Sequence, residues 1–302
     1  MLGPALSTAR IVVKRLLKTA LGLPGMFLPR REPCVRVLFY HRVNPYPVAK
    51  LGPVSREITV RPEEFAWQMA YLASHGFRVL SLSEFEALRA DNRQPSRNSI
   101  LISFDDGYED NLLYAAPILK QHGFPAVVFV VAGFIGKESS DVLPYADERQ
   151  YGRFLSYQQI EAMLAQGIEI GSHTISHPLL TSVDSPGLRE EIKGSREKLE
   201  EMFGVKVTSF AYPGGDLDDR VEQSVAHAGY VTAFTTRTGA ATVTDRMTAL
   251  SRTEVSASDS RLVFRMKLRG SLDWLVVKDS APIRRLLSLS NRLLMPLAKG
   301  AS

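Results

Sequence analysis

The middle of the chain alternates between two hydrophobic periods. Short apolar runs rich in β-branched and aromatic residues predict strands at Val35–Tyr40, Phe77–Leu80, Ser99–Phe104, Ala126–Val131, Ile168–Ser172, Val207–Tyr212 and Val231–Thr235. A further strand after Met247 carries Arg252 and Glu254. The run Ala126–Val131 is apolar on both faces, as buried parallel strands are. Between the runs, apolar residues recur at three- and four-residue spacing. They predict helices at Pro62–Ser74, Ser83–Arg89 with Ser83 as its cap, Asn111–His122, Ser156–Ala165, Pro186–Phe203 and Asp219–Ala228. Stretches 44–58 and 136–153 read as loops, the second long enough for a lid or binding loop. Strand–helix alternation with short connections predicts an α/β fold on a mostly parallel sheet, open or closed into a barrel.

Both ends have a different pattern. Ile11, Val12, Leu16, Leu17 and Leu21 recur at helical spacing among Arg10, Lys14, Arg15 and Lys18. Ile283, Leu286, Leu287, Leu293, Leu294 and Leu297 do the same around Arg284 and Arg285. Three segments follow: a basic amphipathic segment 1–31, a body 32–260 and a basic helical segment 261–302. The ends hold fifteen basic and two acidic residues, the body 22 basic and 30 acidic, so the overall +5 describes the ends rather than the body. Such ends suit peripheral attachment to an anionic membrane surface, or packing on the body with solvated charges. The body has no basic stripe interleaved with aromatics, so no nucleic-acid partner is expected. A single cysteine, Cys34, permits no internal disulfide and no cysteine-rich zinc module. Pro24 and Gly25 interrupt the leading apolar stretch, and no clear cleavage site follows. The expected location is therefore the cytoplasm or the cytoplasmic face of a membrane, with the periplasm and exterior left open.

In parallel α/β folds ligands bind beyond the carboxyl ends of the strands. The polar residues at those ends are Tyr40-His41-Arg42, Asp105-Asp106-Gly107, Ser172 to His177, and Tyr212-Pro213-Gly214-Gly215. One rim thus gathers two adjacent carboxylates and three of the six histidines. His173 and His177 on one helical turn would face the same way and grip one ion. Asp106 or Asp105 supplies the third ligand. The other aspartate is then free to act as general base on water whose pKa the ion lowers. His75, His122 and His227 sit at expected helix C-termini and read as structural.

At these residues the chain resembles a known family. Ser103-Phe104-Asp105-Asp106-Gly107-Tyr108 resembles the first motif of the polysaccharide deacetylases (the NodB-homology carbohydrate esterases), and Gly171 to Pro178 their second. Phe210 to Gly215 is similar to the third, and Leu38 to Val43 resembles the entry strand of the exopolysaccharide-associated branch. The resemblance runs from about 35 to 255.

It implies a distorted (β/α) barrel with fewer than eight complete units. It further implies removal of N-acetyl groups from amino sugars of an exopolysaccharide or oligosaccharide. Asp105 matches the catalytic base. Asp106, His173 and His177 match the ligands of a divalent metal, zinc first, with cobalt or nickel as alternatives. The Gly214 N–H matches an oxyanion donor, and Tyr40, Tyr108, Tyr212 and Pro213 are expected to contact substrate.

The chain departs from the family pattern in three places. Ala211 stands where an arginine often orients the base, Gly214 where an aromatic is frequent, and Thr248–Ser256 lacks the late histidine that serves as general acid. By position, His41 is the expected acid and Arg252 the expected orienting arginine. Two other readings accompany this one: deacylation of a lipid-linked amino sugar at a membrane surface, and a carbohydrate-binding homologue with a damaged site.

Overall fold

The computed structural model describes residues 4–27, 33–47, 50–96, 98–143, 152–242 and 244–279. In chain order the strands are β1 (Val35–Tyr40), β2 (Arg42–Val43), β3 (Thr59–Val60), β4 (Arg78–Leu80), β5 (Ser99–Phe104), β6 (Val127–Val130), β7 (Glu169–Ser172), β8 (Ser209–Ala211), β9 (Thr232–Thr238) and β10 (Leu250–Glu254). The helices are α1 (Pro4–Gly25), α2 (Pro53–Ile58), α3 (Pro62–Ser74), α4 (Leu82–Ala90), α5 (Ala116–His122), α6 (Ser139–Val142), α7 (Tyr157–Leu164), α8 (Ser185–Arg189), α9 (Ser195–Phe203), α10 (Asp219–His227) and α11 (Arg261–Arg269).

Seven parallel strands close into a barrel. β1 pairs with β5 over its whole length, from Val35 opposite Ser99 to Tyr40 opposite Phe104, and with β10 at Leu38 opposite Thr253. The circuit then runs β5, β6, β7, β8, β9, β10. The other edge of β5 is shared: β4 pairs with Ser99–Leu101 and β6 with Ser103–Phe104. β4 therefore stands outside the closed ring, which has seven strands rather than eight. This is the distorted barrel that the alternating pattern and the family resemblance led us to expect.

Strand alternation sorts the side chains into two layers. Val37, Leu101, Val127, Phe129, Ala211, Phe234 and Leu250 form an inner cluster, joined by Leu82 and Phe85 of α4. Leu38, Tyr40, Ile102, Phe104, Val128, Val130, Phe210 and Tyr212 face outward into the larger cluster beneath the helices. Burying a Leu, Ile or Phe side chain contributes ~1.5–3 kcal/mol, so these two layers dominate the fold's stability.

Local signals set the helix ends. α4 begins at a capping box in which the Ser81 hydroxyl accepts from Glu84 N and the Glu84 carboxylate accepts from Ser81 N. The cap is thus Ser81 and not Ser83, because Ser83 already lies within the helix. α7 has the same device at Ser156 and Gln159. Two expected helices contain a π-helical turn, at Asn111–Ala115 and at Glu190–Gly194. The expected loop at 44–58 holds α2, started by Pro53 at its first turn. Residues 144–151 of the second expected loop, and the whole 283–297 stretch, lie outside the described residues.

Candidate metal-dependent active site

The strand alternation that fills the barrel with apolar side chains continues past the strand ends and aims polar groups into its mouth. Residues 37, 39 and 41 follow one inward face, 101, 103 and 105 another, and 250 and 252 a third. His41, Asp105 and Arg252 thereby converge.

Arg252 is fully buried and forks onto Asp105. Its Nη1 and Nη2 donate to Asp105 Oδ1 and Oδ2, each at 2.7 Å, and its Nε donates to the Thr235 carbonyl at 2.9 Å. The guanidinium lies 4.2 Å from the centre of the Phe39 ring. The β9–β10 register shifts between Leu250 and Arg252, an irregularity that re-aims the arginine. Burial pushes the Asp105 carboxyl up, but the Arg252 guanidinium, with His173 and His41, outweighs it and holds the group below its ordinary value. Asp105 is thus an ionised carboxylate in a dry setting.

Asp106 turns the other way. Its φ of 73° places it in the left-handed region, followed by Gly107 at 74°. This sharp turn separates two adjacent carboxylates that a regular strand would send to opposite faces. Asp106 Oδ1 lies 3.5 Å from His173 Nε2 and 3.4 Å from His177 Nε2. One ligand atom from each of the three residues falls within 4.8 Å of the others. Burial opposes the Asp106 carboxylate, yet the two histidines hold it well below its usual value.

The histidines are not on one helical turn, as we had expected. His173 follows β7 directly, and the chain then bends through Thr174 at φ 73° to His177 at φ 60°. Three of the five non-glycine residues with positive φ among the described residues are therefore at this site, where backbone strain serves geometry. The bend is pinned from several sides. Thr174 Oγ1 accepts from His177 N at 2.9 Å, and Glu191 accepts from Ile175 N and Ser176 N, both at 2.9 Å. Ala132 N and Gly133 N donate to the Thr174 and Ile175 carbonyls.

The donor set fits a divalent metal. One carboxylate and two imidazoles are a hydrolytic zinc set that leaves coordination positions for water and substrate. His173 Nδ1 donates to the Ala211 carbonyl at 2.7 Å, which fixes the tautomer and presents the Nε2 lone pair to the cluster. The acceptor is the backbone oxygen of Ala211, so the side chain at that position plays no part in this bond.

The remaining expected residues divide. His41 packs edge-on against Phe39, and its buried Nδ1 has no hydrogen-bond partner among the described residues. Gly214 is exposed, with φ 61°, in the turn after β8. Tyr40, Tyr108, Tyr212 and Pro213 are all buried. Tyr40 and Tyr212 face outward from their strands: the Tyr40 hydroxyl donates to Gln68 and that of Tyr212 to the Thr248 carbonyl. Tyr108 stacks on Phe154 at 4.8 Å beneath the Arg42 guanidinium. The exposed side chain beside Gly214 is instead Leu179, 61% exposed.

Sequence reasoning also missed Asp110. This buried carboxylate accepts from Arg42 Nε at 2.8 Å, Val43 N at 3.1 Å and Asn44 Nδ2 at 3.0 Å. Next to it, Asn111 Nδ2 donates to the His41 carbonyl at 2.9 Å. These bonds lock the segment carrying His41 to the segment carrying both aspartates.

The chain is similar to several known proteins. The sequence profile of the polysaccharide deacetylase family matches residues 92–233. YxkH of Bacillus subtilis (strain 168), named as a polysaccharide deacetylase, is 29% identical over 228 residues, which are 76% of this chain and 74% of that protein. A poly-β-1,6-N-acetyl-D-glucosamine N-deacetylase of Staphylococcus aureus (strain MRSA252) is 27% identical over 227 residues, covering 70% of this chain and 75% of its own. Among solved structures, IcaB from Ammonifex degensii superposes with a TM-score of 0.62 at 25% identity, covering 80% of this chain and 98% of that one.

Proposed function

We propose that the chain is a member of the polysaccharide deacetylase family and that it hydrolyses N-acetyl groups from amino sugars of an exopolysaccharide of the poly-β-1,6-N-acetylglucosamine kind, or of its oligosaccharides. The observation that carries this reading is the pairing, on one rim, of the Asp106–His173–His177 cluster with an ionised Asp105 held by Arg252. Asp106, His173 and His177 would hold a divalent metal, which when bound would supply Lewis acidity for the amide carbonyl and for the activation of water.

The chain's own groups do the rest. Asp105 accepts a proton from the attacking water, and Arg252 keeps it ionised and aimed. The Gly214 N–H stands at the rim to meet the carbonyl oxygen as it gains charge. His41 gives a proton to the sugar nitrogen as the C–N bond breaks, yielding acetate and a free amine. Its place at the barrel mouth, near enough to Asp105 and Asp106 to influence both carboxylates, supports this role. General acid catalysis of this kind contributes roughly 10²–10⁴-fold. The damaged-site reading loses support from Arg252, which replaces the missing motif arginine from another strand.

The test is acetate release from β-1,6-linked N-acetylglucosamine oligomers by the zinc-loaded chain and by Asp105→Asn. Release by the native chain alone supports the proposal. Absence of release from any chito- or β-1,6-linked oligomer would overturn it.

A further inference from the structure

α1 is amphipathic, but its faces are reversed relative to a helix packed on a globular body. At about 100° per residue, Arg10, Lys14, Arg15 and Lys18 fall on one half of the helix, and Val13, Leu16, Leu17 and Leu23 on the other. The basic half faces the protein. Lys18 Nζ donates to Ser258 Oγ and Asp259 Oδ1, both at 2.7 Å, and to Ser256 Oγ at 3.2 Å. Lys14 and Arg10 both pair with Glu57, and Arg15 reaches the Ala257 carbonyl. Gly22 and Gly25 press against Leu272 and Ser271, so closely that a Cβ on Gly25 would overlap the Ser271 carbonyl. The apolar half faces out, with Leu16 66% exposed. A helix that packs for stability buries its apolar stripe. Here that stripe forms an outward ridge of about 15 Å, from Val13 to Leu23, with Phe27 exposed in the turn just past the helix.

We propose that this ridge seats α1 in the headgroup layer of an anionic lipid bilayer. Three observations select that occupant. Lys14, Arg15 and Lys18 are engaged by the body, but Arg10 stays 65% exposed beside its Glu57 partner at the flank of the ridge, where it meets an anionic surface. Trp274, half-exposed, donates its indole N–H to the Leu21 carbonyl and so sets an amphipathic ring at the helix edge, where membrane-interface tryptophans lie. Among the described residues no helix is long and apolar enough to cross a membrane, so α1 lies along the surface.

The Arg10–Lys18 end of α1 contacts segments that follow β1 and β10, at the catalytic end of the barrel. The bilayer would therefore stand beside the mouth of the site. The inference rests on α1 alone and holds whatever the site hydrolyses.

The test is co-sedimentation of the full chain with vesicles of phosphatidylglycerol and phosphatidylcholine, and with phosphatidylcholine alone, for the native chain and for Leu16→Ser/Leu17→Ser/Phe27→Ser. These positions are exposed, so circular dichroism is expected to show the variant folded. The expected result is binding to the anionic vesicles that falls about tenfold or more in the variant and weakens with salt. Quenching of tryptophan fluorescence by brominated lipid is expected to fall with it. No binding, equal binding by both chains, or native dimers that the triple variant dissociates would each overturn the proposal.

Discussion

Arg252 is the residue whose replacement separates catalysis from mere fold. Its fork makes two charge-assisted bonds to Asp105, each worth ~1.5–3 kcal/mol. Arg252→Lys keeps the charge but presents one ammonium in place of a planar fork, and loses the bond to Thr235. Losing about 2 kcal/mol of positioning in the transition state corresponds to roughly a 30-fold fall in kcat, with metal content unchanged. Arg252→Ala is harsher. It leaves the Asp105 carboxylate buried and unpaired, a change that costs ~3–5 kcal/mol of stability. The sign of the pH effect follows from the opposing causes at Asp105. Burial raises its pKa and Arg252 lowers it, so without the arginine burial dominates and the carboxyl protonates at higher pH. The base works as the carboxylate, so the acid limb of the kcat–pH profile moves upward in both variants, further in Arg252→Ala. The assay is acetate release across pH, beside a thermal melt. An unshifted acid limb with native kcat in Arg252→Lys would refute the orienting role.

Other expectations follow from single contacts. His41→Ala is expected to lower kcat by roughly 10²-fold or more while zinc content and melting temperature stay near native; native kcat would remove His41 as the acid. Glu191→Ala frees the bend before His177 by removing the acceptor of two backbone N–H groups, and is expected to weaken zinc affinity by roughly 10–100-fold in a chelator competition. Asp259 is buried between Lys18 and Lys267, which together hold its carboxyl below 3.8 against burial. A depressed carboxyl contributes stability that is full above its unfolded pKa and is lost as pH falls through the folded value. Asp259→Asn should therefore destabilise the chain at neutral pH by ~3–5 kcal/mol and flatten the loss of stability below pH ~4, read from urea unfolding.

Much of this architecture was legible because each run carried its own period. The both-faces-apolar Ala126–Val131 and the Pro62 helix start needed no tertiary knowledge. The same alternation accounts for where Tyr40 and Tyr212 point. Tyr40 lies one residue from Phe39 and His41, and Tyr212 one from Ala211, so period two sends these rings outward beneath the helices when their neighbours face the barrel. Counting parity from the inward Val37 would have shown it. The His173–His177 spacing suggested a helix because four residues make about one turn, but positive φ at Thr174 and His177 gives the same convergence by a bend. No local pattern announces such a bend where the residues are not glycine. Asp110 was invisible for a different reason: its partners Arg42, Val43 and Asn44 are more than sixty residues away, joined only when β1 pairs with β5. The sequence shows α1 as basic and amphipathic, but which half faces the body is decided by Glu57 and Asp259, which lie far along the chain.

Metal-coupled activity tests the central claim most directly. The purified chain, Asp106→Ala and His173→Ala would be analysed for bound metal after zinc loading and then assayed for acetate release. The account predicts about one equivalent of metal and activity in the native chain, with both lost together in each variant. Activity that persists in the variants, or a native chain that takes up no metal, would contradict it.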